Sequence, residues 1–403
     1  MTSTMNGSVI SSEQPAREFN LLGIYNRAPM TFVRGSGAYL FDGSGKAYLD
    51  FASGIAVNAL GYGDEGIRGA MEQAIGSGLI HVSNLYRTEP AERLAHALVE
   101  NSFAAAVFFC NSGAEANEGA FKFARKWARS IGSNRKTGIV ALRGGFHGRL
   151  FASLAATDRP SYRAPFEPLA GGVAICERTL ADLDVALDGE TVAALIVEPV
   201  QGEGGVRVLD AAFLRSLREI TAERRIALIF DEIQCGLGRL GTFLACESFG
   251  IVPDMVTLAK PLAGGLPMGA VLVSREIGDA MAPGDHGTTF GGGPFIASVA
   301  EHVVERLSNP GLLASIRTDG IWFGEQLHSM AQRSGRVRAV RGMGYMWGID
   351  VIEKASDVVE RGWDAGLLVI TAGDHTLRLL PPLIMRRADL ERGLGLLEQA
   401  LTS

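Results

Sequence analysis

The sequence predicts an α/β protein: a mainly parallel β-sheet covered by helices on both faces, plus a smaller α+β region drawn from both ends of the chain. Two observations carry that expectation. From about residue 70, helical stretches such as PAERLAHALVEN (90–101) alternate with short apolar runs. The runs are VFFCNSG (107–113), GIVALRG (138–144), AALIVEP (193–199), IALIFDE (226–232), MVTLA (255–259) and GAVLVS (269–274). Strands without polar alternation are buried on both faces, as in a parallel sheet under helical crossovers. Outside that stretch the pattern differs. Residues 31–51, TFVRGSGAYLFDGSGKAYLDF, alternate apolar and polar around two Gly-Ser-Gly turns and read as a hairpin or meander. Beyond a helix at 295–307 come YMWGIDVI (345–352), a helix near 356–368, TLRLLPPL (376–383) and a final helix from 387. The expected organisation is a tail over 1–17, a small-domain segment over 18–70, a large domain over 71–305 and the rest of the small domain over 306–403.

Composition narrows the function. The chain has 403 residues, 47% hydrophobic and 20% charged, with a net charge of −6. There is no basic block, which argues against nucleic acid or an anionic membrane as a partner. No apolar run approaches about 18 residues. The start, MTSTMNGSVISSEQPAREF, has neither a basic opening nor an apolar stretch, so a signal peptide is not expected. Cys110, Cys176, Cys235 and Cys246 form no C-x-x-C pair and no zinc-spaced cluster with histidine. They read as reduced residues of a cytoplasmic protein without a metal.

Two stretches match the dinucleotide fingerprint, Gly61-Tyr-Gly63-Asp-Glu-Gly66 and Gly236-Leu-Gly238-Arg-Leu-Gly241. The first holds Asp64 and Glu65 where a pyrophosphate would lie. The second does not open a clean helix. The βαβ context that would support an NAD-dependent oxidoreductase is missing from both.

Lysine is scarce, six residues against thirty-two arginines, yet Lys260 ends the apolar run MVTLA and precedes a Gly-rich turn. In the run before it, IALIF is followed by Asp231. A carboxylate at a buried strand end is costly unless a cation or donors meet it. Taken alone, Asp231 reads as a helix cap or a salt-bridged structural residue, and a lone lysine as one reaching out to solvent. Together, at the carboxyl ends of adjacent strands, they match the needs of pyridoxal phosphate. Its aldehyde condenses with an amine, and its ring nitrogen needs a carboxylate. A phosphate cradle is offered by Asn111-Ser112-Gly113-Ala114 at a helix start, equally a plain N-cap. Residues 286–293, with Thr288 and Thr289, are a second candidate. Phe146 and His147 follow the strand GIVAL in a Gly-rich loop, where an aromatic either stacks on a cofactor ring or closes the core.

The stretches YNRAPMTFVRGSGAYLFDGSGKAYLDFASGIAVNALG, LIHVSNLYRTEP, FFCNSGAEANE, FHGR, VEPVQGEGGV, LIFDEIQCGLGRLG, TLAKPLAGGLPMGA, GTTFGG and LRLLPPL resemble class III, fold-type I pyridoxal-phosphate aminotransferases. The acetylornithine aminotransferase group is the most similar, from about Tyr25 to about Ala400. The resemblance implies a large domain with a seven-stranded sheet and a homodimer with shared sites. Lys260 would form the Schiff base and shuttle the proton. Asp231 would pair with the pyridinium nitrogen and Gln234 with the phenolic oxygen. Gly113 and Ala114, with Ser112, would hold the phosphate, and Thr289 would reach it from the neighbouring subunit. Phe146 would stack on the ring, with His147 and Ile233 beside the cofactor. Arg149 and Arg378 would anchor substrate carboxylates, with Thr288, Tyr25 and Gly54 near the substrate. Glu203 would mask Arg378 until 2-oxoglutarate binds. Two departures stand out. Ala114 replaces the family's usual Thr, losing a hydroxyl hydrogen bond worth roughly 1 kcal/mol. Gly293 stands where Asn is common.

Ornithine aminotransferases carry a tyrosine where this chain has Ser53, Gly54 and Ile55. Small residues there favour N-acetylornithine as amino donor, giving N-acetylglutamate 5-semialdehyde and glutamate in arginine biosynthesis. Succinylated diamines, carrier-linked lysine, ornithine and 4-aminobutyrate remain alternatives.

Overall fold

A computed structural model of the chain describes residues 21–402. The expected tail over 1–17 lies outside them. Residues 21–31 belong to a unit of their own, without helix or strand, and Phe32 begins the second. No described helix is long and apolar enough to cross a membrane.

The second unit opens with an antiparallel meander of β1 (Phe32–Ser36), β2 (Tyr39–Asp42) and β3 (Ala47–Asp50). Its second turn is built by Asp42, whose Oδ1 accepts from the backbone N–H groups of Ser44 and Lys46 at 2.9 and 3.0 Å.

The central sheet takes β4 (Ala106–Cys110), β5 (Gly138–Leu142), β6 (Val173–Cys176), β7 (Val192–Val197), β10 (Ala227–Asp231), β11 (Met255–Leu258) and β12 (Gly269–Val273). Between β7 and β10 lies a two-stranded hairpin, β8 (Val200–Gln201) and β9 (Arg207–Val208). The order of the large sheet is β4-β12-β11-β10-β7-β5-β6. Every pairing is parallel except those of β12, which runs antiparallel to both β11 and β4. Its reversal follows from chain length. Residues 259–268 alone join β11 to β12, and a parallel crossover needs about a dozen or more. Strands β7, β10, β11 and β12 are buried along their whole length, matching apolar runs in which only Thr257 and the terminal Asp231 are polar. Truncating one of their large side chains, such as Phe230, is expected to cost about 3–5 kcal/mol.

The chain then forms the helix Pro310–Ser334 and a second antiparallel sheet. This sheet comprises β13 (Val337–Met343), β14 (Met346–Val351), β16 (Ile370–Thr371) and β17 (Thr376–Leu379), in the order β13-β14-β17-β16. Strand β15 (Leu367–Leu368) instead joins the meander, pairing parallel with β3. The two ends of the second unit therefore pack together. Strands β6 and β13 and the helix Pro310–Ser334 are additions to the elements read from sequence.

Candidate active site

The carboxyl ends of β4, β11, β10, β7 and β5 lie at one edge of the sheet, and residues just after them line one cavity of about 410 Å³. After β4, the turn Asn111–Ser112 leads into the helix Gly113–Ser130. Ser112 is its N-cap, with Oγ accepting from the Glu115 N–H at 3.2 Å. The N–H groups of Gly113 and Ala114 are left without a protein acceptor and sit at the positive end of an 18-residue helix. That helix end lines the cavity and has the polarity that suits an anion. Glycine is needed at its lip, because a Cβ on Gly113 would sit 2.7 Å from Ile233 Cδ1.

Asp231 ends β10 and is 3% exposed. Its Oδ2 accepts from Asn117 Nδ2 at 2.8 Å and lies 2.8 Å from His147 Nδ1. Its Oδ1 accepts from the Ile233 N–H at 3.2 Å. These contacts compensate the burial of the carboxylate. Asn117 also donates to the His147 carbonyl at 2.7 Å, so one amide fixes both the loop and the acid.

Lys260 follows β11 and lines the same cavity. Its amine makes no hydrogen bond or ion pair with another described residue. Desolvation pushes it below the ordinary lysine range and Arg378 adds to that shift, while Asp231, Glu198 and Glu203 oppose it. An amine uncommitted to any partner is free to act as a nucleophile once it is unprotonated.

Glu198, directly after β7, is a second buried carboxylate in the cavity wall. It accepts from the Phe146 N–H at 2.8 Å and the Gly202 N–H at 3.1 Å. It thereby ties the loop carrying Phe146 to the β8–β9 hairpin carrying Glu203. Burial pushes its carboxyl upward, His147 opposes the shift and Asp231 adds to it.

Arg378 lies on β17 and is 2% exposed. Its Nη2 is 2.7 Å from Glu203 Oε1, and its Nη1 donates to Gln234 Oε1 at 3.1 Å. Arg149 contrasts with it. It is exposed at the cavity and has no carboxylate partner among the described residues.

Arg378 lies behind Glu203 and Gln234 rather than in the cavity wall, and Thr288, Thr289, Gly54 and Tyr25 are not in it either. Thr288 and Thr289 line a neighbouring cavity of about 780 Å³, and Thr288 Oγ1 accepts from Asn111 Nδ2 at 3.0 Å. Gly54 lies in a turn where Ser53, Gly54, Ile55 and Ala56 all take left-handed φ values of 44 to 66°. Three of these are not glycine, a concentration of backbone strain typical of functional sites. The next residue, Val57, does line the cavity. Tyr25 belongs to the first unit, and its side chain is exposed.

Neither dinucleotide decoy binds phosphate in the manner of a Rossmann fold. Asp64 caps the helix Glu65–Gly76 with its own carboxylate, accepting from Ile67 N–H at 2.9 Å. Gly236–Gly241 is a buried loop with no helix directly behind it.

Asn117 and Glu198 were not singled out from sequence. Glu198 repeats the signal that marked Asp231, an acid closing a buried strand. Asn117 shows only as a polar residue on the apolar face of its helix.

The family profile "Aminotransferase class-III" matches residues 24–401. The chain belongs to the class III aminotransferases. It is 44% identical over 389 residues to the mitochondrial acetylornithine aminotransferase of Alnus glutinosa, spanning 94% of this chain and 85% of that protein. The structure of the Stenotrophomonas maltophilia N-acetylornithine aminotransferase superposes with a TM-score of 0.82 at 34% identity, covering 93% of this chain and 96% of the other. The Toxoplasma gondii ornithine aminotransferase, with pyridoxal phosphate partially occupying its active site, superposes at 0.89 with 27% identity. That match covers 94% and 91% of the two chains. The fold of this class III aminotransferase thus agrees with the expected architecture.

Proposed function

We propose that this aminotransferase moves the ω-amino group of N-acetylornithine to 2-oxoglutarate, giving N-acetylglutamate 5-semialdehyde and glutamate, with pyridoxal 5′-phosphate as cofactor. The observation that carries the dual-substrate reading is the pair of arginines in opposite states, Arg378 masked by Glu203 and Arg149 open.

The donor set fits the cofactor. The unpaired Lys260 amine suits its aldehyde, the buried Asp231 carboxylate its ring nitrogen, and the free Gly113 and Ala114 N–H groups its phosphate. Ala114 offers no hydroxyl, so the backbone carries that end. Bound there, pyridoxal phosphate supplies a carbonyl that exchanges with amines and a ring that accepts the electrons released at the substrate carbon. The protein's part is to bind, orient and move protons. Lys260 takes a proton from the donor's reacting carbon and returns one. Arg149 takes a carboxylate in bidentate fashion. With the donor bound, Glu203 keeps Arg378 neutralised. With 2-oxoglutarate, Glu203 withdraws and Arg378 takes the second carboxylate. Phe146 walls the cavity, held in place through its N–H by Glu198.

A second copy of the chain would complete the site. Thr289 is exposed and lies outside the Lys260 cavity. Around it Leu79, Ile80, Leu85, Tyr86 and Phe290 expose large apolar side chains. Two contacts join the segments: Asn84 Nδ2 donates to the Thr288 carbonyl at 2.7 Å, and the His81 and Phe290 ring centroids are 5.4 Å apart. Such a surface favours a protein partner, here an identical subunit. We assign residues 71–305 to a large domain and 18–70 with 306–403 to a small one, which the β3–β15 pairing supports. A reducing compartment, the cytoplasm, suits the four buried free cysteines.

The test is a donor panel with 2-oxoglutarate: N-acetylornithine, ornithine, N-succinyl-diaminopimelate, 4-aminobutyrate and carrier-linked lysine. N-acetylornithine is expected to give the highest kcat/KM. A higher value for any other member reassigns the donor.

A further inference from the structure

We propose that Tyr162 is a positioning residue for substrate, holding the Arg149 guanidinium by its face so that the N–H edge stays free for a carboxylate. The inference rests on Arg149 being the open carboxylate anchor. The Arg149 guanidinium carbon stands 3.6 Å over the centroid of the Tyr162 ring. A second ring, Phe146, is 5.8 Å away. No hydrogen bond or ion pair joins Arg149 to another described residue. The N–H donors of a guanidinium lie in its plane, so stacking uses the face and consumes none of them.

The choice of an aromatic support has a chemical reason. An acidic partner would mask Arg149 as Glu203 masks Arg378, and every substrate would have to displace it. A ring attracts the cation without neutralising it. The same short segment also touches the other anchor. Arg159, just before the helix Pro160–Arg163 that carries Tyr162, donates to the Glu203 carbonyl oxygen. One piece of chain therefore supports the arginine that is always open and the acid that gates the other.

The test compares Tyr162→Leu, Tyr162→Phe and Arg149→Ala in the holoenzyme, with N-acetylornithine and 2-oxoglutarate as substrates. Tyr162→Leu should raise KM for both by about three- to tenfold, with kcat changing less than about twofold. Tyr162→Phe, which keeps the stacking face, should restore wild-type KM. In an Arg149→Ala background, Tyr162→Leu should add no further rise. If Tyr162→Leu does not fold, Tyr162→Trp serves in its place and should hold KM at or below wild type. Unchanged KM in Tyr162→Leu, no rescue by Phe, a raised KM in Tyr162→Trp, or an equal rise without Arg149 overturns the proposal. An Arg149→Ala variant with unchanged KM instead removes the anchor itself, a distinct outcome.

Discussion

Glu203 Oε1 lies 2.7 Å from Arg378 Nη2, pairing an acid on the β8–β9 hairpin with a nearly inaccessible arginine on β17. Removing the acid's charge should unmask that arginine. Glu203→Gln is expected to keep or improve the glutamate half-reaction and to slow that of N-acetylornithine. The preference between donors should shift by at least about tenfold, the worth of one charge-assisted hydrogen bond. Stopped-flow spectra of each half-reaction measure this. Equal losses on both donors would mean that Glu203 is no switch.

Asp231 sits within a shell of Asn117, His147 and the Ile233 N–H. Asp231→Asn should retain the fold and lose most activity, because an amide cannot hold a proton on the ring nitrogen of the cofactor. Asn117→Ala should lower kcat and cost about 1–3 kcal/mol of stability, since a buried acceptor loses its donor. Urea denaturation and steady-state rates check both, and near-normal turnover in Asp231→Asn would remove it from the site.

The Lys260 amine is held below its usual 10.5 by desolvation, so it becomes a nucleophile at lower pH than a surface lysine. The rate at which apoenzyme captures pyridoxal phosphate, followed by visible absorbance, should rise with pH through a midpoint below that value. Arg378 contributes to the depression, so Arg378→Gln should move the midpoint up. The sign for stability is also set. Between the folded and unfolded pKa values the unfolded chain binds more protons at Lys260, so its contribution to stability grows with pH across that window. Lys260→Ala should abolish turnover, and borohydride should link the cofactor of the native protein to the peptide containing Lys260.

Thr289→Ala should weaken cofactor affinity, and mixing it with Lys260→Ala should restore activity. A mixed dimer would contain one site free of both lesions. No recovery on mixing would count against a site shared between subunits.

Much of this site was legible because strand burial is a local pattern. Apolar runs marked the carboxyl ends of β4, β5, β7, β10 and β11, and the residues after them are the cavity wall. The helix Pro310–Ser334 was not legible, since Gly311, Gly320 and Gly324 are poor helix formers. Two of them serve packing. A Cβ on Gly320 would sit 2.8 Å from the Gly344 Cα, and one on Gly324 would collide with the Trp347 ring. Strand β6 was hidden because, as an edge strand, it is only partly buried and its run is short.

The sequence by itself determined the class of fold and the cofactor chemistry, and it singled out Lys260 and Asp231 as candidates, because each reading depends on which residue closes a buried run. The family resemblance already implied the Glu203–Arg378 pairing, but only the tertiary structure placed Arg149 on the Tyr162 ring. Glu203 and Arg378 come from different sheets, and Arg149 from a loop while Tyr162 sits on the short helix Pro160–Arg163, so neither pairing leaves a trace in local pattern. Whether a guanidinium is masked by a carboxylate or held open on a ring depends on a few ångströms of separation, and chain folding alone sets that distance.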